Sequence, residues 1–309
     1  MSGRHAVDLK AQQLAAIPEW IRDLHTLEEL NLDQNYLTFL PEWIGQLSQL
    51  RSLSLYNNQL KAVPDSVWQL TNLHALNLAD NQLVTLSEGI GNLVNLHMLD
   101  LGHNALKALP ESIGNLTGLA FLYISNNQLT SLPQSFNKLS HLIYLNITDN
   151  HLISLPPSVG SLSTLIELRL YNNVLTALPE ELGQLRKLKE LHVMNNKLET
   201  LPQTIGDLIH LKKLILQDNR LIALPESLGN LLNLTDLDLR NNRLTSLPES
   251  LGQLQQLRYL DLRANALWML PTSLSTLTNL EKLDLRWNKL AMLPEWTKQL
   301  EQQGCTIYI

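Results

Sequence analysis

Three aspartates, Asp238, Asp261 and Asp284, recur at an interval of 23 residues, and an arginine stands two positions after each, at Arg240, Arg263 and Arg286. Paired carboxylates can serve glycoside hydrolysis as acid and nucleophile or base. Here each acid shares a strand face with a cation, and further arginines come one repeat away. That arrangement keeps the carboxylates ionised and leaves no general acid. Two readings remain open. The columns form either a solvated ion-pair lattice that relieves like-charge stacking or a polar docking strip for a partner of both signs. With Tyr259 and Trp287 on its flanks, the strip is the secondary candidate site of the chain.

Other reactive residues are sparse. Cys305 is the single cysteine; alternation turns it inward, as a small buried hydrophobe. His74 and His97 share a column, with His103, Asp80 and Asp100 near, but a metal needs third and fourth ligands held rigidly. Glycines spaced as G-x-x-x-x-G lack the following Lys-Ser/Thr of a nucleotide loop, and no H-E-x-x-H occurs. The expectation is no catalysis, no metal and no cofactor.

Composition narrows the partners. Lys plus Arg total 23 against 29 Asp plus Glu, a formal charge of -6. No basic face is expected, so nucleic acid is an unsuitable partner. The opening "MSGRHAVDLKAQQLAAIPEW" has no long apolar stretch, which argues against a secretory signal or membrane anchor. A cytoplasmic location is expected, with export by a non-classical or effector route as the alternative.

The elements that must position these residues come from one repeated frame. Asparagine recurs at Asn35, Asn58, Asn81, Asn104, Asn127, Asn150, Asn173, Asn196, Asn219, Asn242, Asn265 and Asn288, always 23 residues apart, and Gln12 stands one step earlier. Around each runs L-x-x-L-x-L-x-x-N-x-L-x-x-L-P-x-x-I-G-x-L, with Ser87 the one break in the proline series. The L-x-L pairs alternate as a short strand does. Asparagine can satisfy backbone donors and acceptors where the strand stops. Pro-Glu reads as the opening of a short helical turn with acid near its free N–H groups. Glycine then lets the chain turn. Trp68 in place of that glycine, followed by Ser87 in place of proline, marks a locally altered turn.

One 23-residue unit cannot bury its own leucines, but stacked neighbours can. The sequence expects one domain over 1–309, with a cap and partial first repeat at 1–26, regular repeats at 27–300 and a capping strand at 301–309. In that strand Cys305, Ile307 and Ile309 should turn inward after Gly304 absorbs a one-residue slip. Both ends read as caps, so a complete solenoid is expected.

This frame resembles the leucine-rich repeat proteins, specifically the 23-residue LPxxIGxLxxL type of bacterial proteins and of intracellular scaffolds such as the Ras-binding ones. The resemblance covers residues 7–309. It implies an α/β fold: a horseshoe or arc-shaped solenoid with a parallel sheet on the concave face and short helical or 3-10 turns on the convex face. It also implies a non-catalytic module or scaffold that binds a protein there. The alternatives are a bacterial effector that recognises a host protein and a structural or self-assembling repeat protein.

Function should lie in the positions the frame leaves free. The strand-flanking columns gather Met98, Phe121, Tyr123, Tyr144, Tyr171, Met194 and Ile215, in a chain with only 5% aromatic residues. Exposed aromatics and methionine grouped in a concavity suit a protein-binding centre. The partner is expected to be a protein, with neither nucleic acid nor membrane bound. A monomer is the expected state, and a face-to-face homodimer is the alternative.

Overall fold

Each repeat yields a strand of three residues, because only its L-x-L segment alternates before the chain bends. The structure, a computed structural model, describes residues 5–309. It comprises two units, the first ending at His151 and the second running from Leu152 to Ile309. The first unit holds β1 (Ala6–Asp8), β2 (Glu29–Asn31), β3 (Ser52–Ser54), β4 (Ala75–Asn77), β5 (Met98–Asp100), β6 (Phe121–Tyr123) and β7 (Tyr144–Asn146). The second holds β8 (Glu167–Arg169), β9 (Glu190–His192), β10 (Lys213–Ile215), β11 (Asp236–Asp238), β12 (Tyr259–Asp261), β13 (Lys282–Asp284), the helix α1 (Trp296–Gln302) and β14 (Thr306–Tyr308). Within each unit, successive strands pair in parallel with like positions opposed, as in Leu76↔Leu99 and Leu214↔Leu237. The central residue of each strand from β1 to β13, leucine in all but β1, is buried while its two neighbours face the opposite side. This is the parallel-sheet repeat solenoid that the sequence implies.

The bend after each strand divides its work between two residues. The one before the ladder asparagine takes the left-handed conformation: Asn57 (φ 55), Asp80 (φ 55), Asn126 (φ 51) and Asp218 (φ 58) are examples. Asn and Asp tolerate that region better than other residues with a Cβ. The ladder asparagine itself cross-links repeats. Asn150 Nδ2 donates to Ile124 O at 2.9 Å and Thr148 O at 3.1 Å, and its Oδ1 accepts from Leu129 N at 2.9 Å. Two of those partners belong to the preceding repeat. Gln12 does not reproduce this pattern; its amide group donates to Lys10 O, while its backbone N–H donates to Asn35 Oδ1.

On the other side, the repeat prolines from Pro41 to Pro271 are extended and each precedes a five-residue 3-10 turn, such as Glu42–Gln46 after Pro41. Two expectations change here. The repeat glycines such as Gly45, Gly114 and Gly229 have ordinary φ; a Cβ there would collide with the backbone carbonyl of Ser66, Ser135 or Ser250 in the next repeat. They are small for close approach, not for turning. Likewise, the acid after proline serves the next repeat more than its own. Glu111 accepts from Gln134 N at 3.2 Å and Ser135 N at 3.0 Å, and Glu180 accepts from Gln203 N at 3.2 Å and Thr204 N at 3.1 Å. Those backbone donors hold both carboxyls below the usual glutamate range.

The altered turn at Trp68 is a compensated exchange. Trp68 fills the glycine slot and is only 2% exposed. The next repeat answers with Gly89 where most other repeats place serine, and a Cβ on Gly89 would strike the Trp68 indole. Ser87, in the proline slot, caps the same turn by accepting from Gly89 N at 3.1 Å.

At the end of the second unit the register slips as expected. Gly304 is left-handed (φ 100), β14 pairs with β13, and Cys305 is buried. Burial pushes the Cys305 thiol up to about 11, so it is inert near neutrality. The inward alternation does not continue, however: Ile307 is half-buried and Ile309 is 71% exposed, in and after the edge strand β14 of the sheet.

Candidate functional site

The strands place two columns of free side chains on the face opposite the leucines. In the first unit, Met98, Phe121 and Tyr144 stand opposite one another in register, as do Asp100, Tyr123 and Asn146. The Tyr123 and Tyr144 rings lie 5.0 Å apart between centroids at 39°, and His97 meets Phe121 edge-on at 5.5 Å. In the second unit, Ile215 lies in β10 beside His192, while Tyr171 and Met194 follow β8 and β9. All seven residues are half-buried, not exposed as alternation alone suggests. Parallel register brings like positions to about 4.8 Å, so bulky neighbours shelter one another. The more exposed apolar side chains lie elsewhere: Trp268 at 60%, Trp287 at 72% and Met292 at 79%.

The Asp/Arg strip forms in the second unit with unequal pairing. Arg263 grips Asp261 through Nε at 2.9 Å and an amino nitrogen at 2.7 Å, and Arg286 grips Asp284 in the same way. Arg263 also reaches Asp284 across the strands at 3.3 Å. Burial alone would raise the fully covered Asp284, but the bonds from Arg286 and the charges of Arg263 and Arg286 hold it below the usual range. Asp238 is different. Its Arg240 stands 3.5 Å off, and burial pushes the carboxyl up to about 6 despite the Arg240 N–H and charge. Compared with Asp284, Asp238 is thus held less firmly in the ionised form. Desolvation there exceeds a single long ion pair. Asp238, Ile215, Tyr259 and Asp261 share a hollow of about 260 Å³. Asp261, gripped by Arg263, is thereby withdrawn as a free partner carboxylate for Asp238.

Asp238 gives a pH prediction with a definite sign. Its folded value lies above the ordinary 3.8, so the ionised form is a liability to the fold above about 6. Stability should rise as pH falls from 7 through about 6, and that gain should saturate near 3.8. Asp238→Asn should raise the melting temperature at pH 8 and flatten the slope between pH 7 and 5. An unchanged slope in calorimetry would show that Asp238 titrates normally.

Arg258 and Glu281 join the site without having had a part in the sequence reading. Tyr259 donates to Glu281 at 2.7 Å, and Arg258 does so at 2.7 Å through Nε, which fixes the tyrosine ring. Trp287 occupies the left-handed position of its bend (φ 60), and Arg286 lies over its ring at 5.6 Å. The bend column itself was legible, since Asn or Asp precedes most ladder asparagines.

The histidine column does not gather a metal site. His74 binds Asn72 O at 2.8 Å and His97 packs on Phe121. A different set, Glu167, Glu190 and His192, brings its ligand atoms within 4.8 Å. Cations already occupy it: Arg169 Nε lies 2.5 Å from Glu167 and Lys213 lies 3.1 Å from Glu190. This set reads as an ion-pair network.

Family comparison agrees with this geometry. The family described as "Leucine-rich repeat region" matches residues 63–140, 131–214 and 197–303, and "Leucine rich repeat" matches 7–60. The chain belongs to the leucine-rich repeat family. Among solved structures, a leucine-rich repeat protein of Leptospira interrogans is 38% identical, with a TM-score of 0.88 over 96% of this chain and 76% of that one. The plant peptide hormone receptor RGFR1, in complex with RGF2, is 32% identical with a TM-score of 0.83 over 95% of this chain and 49% of the receptor. YopM from Yersinia enterocolitica is 32% identical with a TM-score of 0.70 over 94% of this chain and 58% of that one. The chain thus spans about half the length of RGFR1. No curated protein matches it. Leucine-rich repeats are generally protein-interaction modules and typically non-catalytic. Among the described residues, no helix is long and apolar enough to cross a membrane.

Proposed function

We propose that this leucine-rich repeat chain is a non-catalytic recognition module that binds a protein partner on its strand face. The observation that carries the reading is the packed set of Phe121, Tyr123 and Tyr144 on the side turned away from the leucine core. Rings held by their neighbours lose little conformational entropy on binding, which is why such residues anchor interfaces. RGFR1, a receptor of similar fold, is seen in complex with RGF2, and a polypeptide ligand suits this face for the same reason. The Asp/Arg strip is the secondary contact, steering approach more than adding affinity.

The test is a pair of triple variants probed by pull-down from native lysate. Tyr123→Ala, Tyr144→Ala and Tyr171→Ala together should leave the circular dichroism intact and abolish capture. Each true hot spot is worth about 2 kcal/mol or more, enough in sum to erase a micromolar complex. Arg240→Ala, Arg263→Ala and Arg286→Ala should give a smaller loss that shrinks at high salt. Retention by the tyrosine variant with loss by the arginine variant would make the strip the principal site. Light scattering completes the test: a dimer abolished by the tyrosine changes would mean self-assembly instead.

A further inference from the structure

The charge of this protein is divided unevenly. Residues 1–151 contain 7 Lys plus Arg against 13 Asp plus Glu, whereas residues 152–309 contain 16 of each, so the first unit carries the whole formal charge of -6. On the strand face of that unit lies a hollow of about 290 Å³. Its floor exists because two consecutive repeats put very small residues, Ala79 and Gly102, in a column that elsewhere holds Tyr56 and Ser125. Tyr56 and Tyr123 line the hollow, together with Asp80, Asp100 and His103, whose ring meets Asn126 Nδ2 at 3.3 Å; no lysine or arginine lines it. Asp100 is half-buried and accepts from Gly102 N at 2.9 Å through Oδ1. Small-molecule sites occupy about 300–1,000 Å³, so this hollow is sized for a single side chain.

We infer that the hollow takes one lysine or arginine side chain from a basic segment of the protein partner. Two tyrosine rings offer their negative faces to a cation, and two carboxylates complete its charge at the rim and base. The apolar stem of such a side chain fits against Ala79 and Gly102. The unit's charge also draws a basic segment toward this face before contact. This inference rests on the strand-face reading above and specifies the chemistry of the partner. Asp100 supports it further: burial raises its carboxyl above the ordinary range, and an arriving cation would relieve that penalty.

The probe is a fluorescein-labelled Gly/Ser peptide of twelve residues with four spaced arginines, compared with the same peptide carrying citrulline at those positions. Fluorescence anisotropy should show binding of the arginine peptide and none of the citrulline one. Gly102→Leu fills the hollow without changing any charge. Its Cβ would meet only ordinary to tight neighbours, Asp100 Oδ1 and Ser125 Oγ at 3.2 Å, so the fold should survive, as circular dichroism will check; Ala79→Met is the second filling variant. Either should weaken the arginine peptide at least tenfold, and so should Asp100→Asn. Glu42→Gln, an equal charge change outside the hollow, should not. Equal losses for Asp100→Asn and Glu42→Gln with none for the filling variants would mean diffuse attraction and overturn the inference, as would failure of the arginine peptide to bind. In those cases a lysate capture still abolished by the tyrosine triple variant would leave the strand-face reading standing, and the two failures remain distinct.

Discussion

Trp68→Ala is expected to destabilise the first unit by about 3–5 kcal/mol, the range for emptying a buried aromatic site. The indole is 2% exposed and lies against Gly89, so no neighbouring side chain can fall into the space it leaves. A second variant shows whether the two positions act as a pair. Gly89→Ser alone should also destabilise, by about 1–3 kcal/mol, because its Cβ meets the indole ring. Combined as Trp68→Gly with Gly89→Ser, the turn regains the glycine-over-serine contact that Gly91 makes with Ser112. Chemical denaturation of the set should then reveal a coupling of about 0.5–3 kcal/mol in the rescuing direction. Simple additivity would refute the exchange between repeats.

Asn150→Ala is the second large effect. The change leaves the buried Leu129 N without its acceptor and takes one donor each from Ile124 O, which keeps Asn127 Nδ2 at 3.3 Å, and Thr148 O, which keeps Asn126 N at 2.9 Å. An orphaned buried group costs about 1–3 kcal/mol. The loss should reach at least that range, since the amide serves both its own bend and the preceding repeat. Gln12→Ala should change little, because the Gln12 side chain donates only to the exposed Lys10 O. Amide hydrogen exchange offers a local check: the Leu129 N–H should lose protection in the Asn150 variant. Equal destabilisation at both positions would remove the ladder's claim to be the link between repeats.

The reading of residues went well where one repeat's demands are the same as the next. Leucine at the strand centre and asparagine after the bend are required by burial and by buried backbone groups, and these requirements recur every 23 residues. It went less well where one repeat answers another. The glycines looked like turn residues because glycine often is one, yet their role is set by the carbonyl of a neighbour 21 positions on, as with Gly45 and Ser66. The Pro-Glu pairs read correctly as turn openings, but the reach of Glu111 to Ser135 N depends on the distance between stacked turns.

The candidate site divides in the same way. Tyr123, Tyr144 and Phe121 could be placed on the free face by alternation alone, since strand side chains alternate whatever surrounds them. Their half-burial could not, because it depends on parallel register with bulky neighbours. Asp238 and Asp261 are alike in sequence, each with an arginine two places later. Only the tertiary structure sets Arg263 on Asp261 at 2.7 Å while Arg240 stops at 3.5 Å from Asp238. Repetition thus let the sequence determine the fold, the free face and the cross-linking asparagines, since each follows from a local pattern applied many times. Depth, pairing and the hollow over Gly102 were decided by packing between repeats, where the departures from that pattern meet.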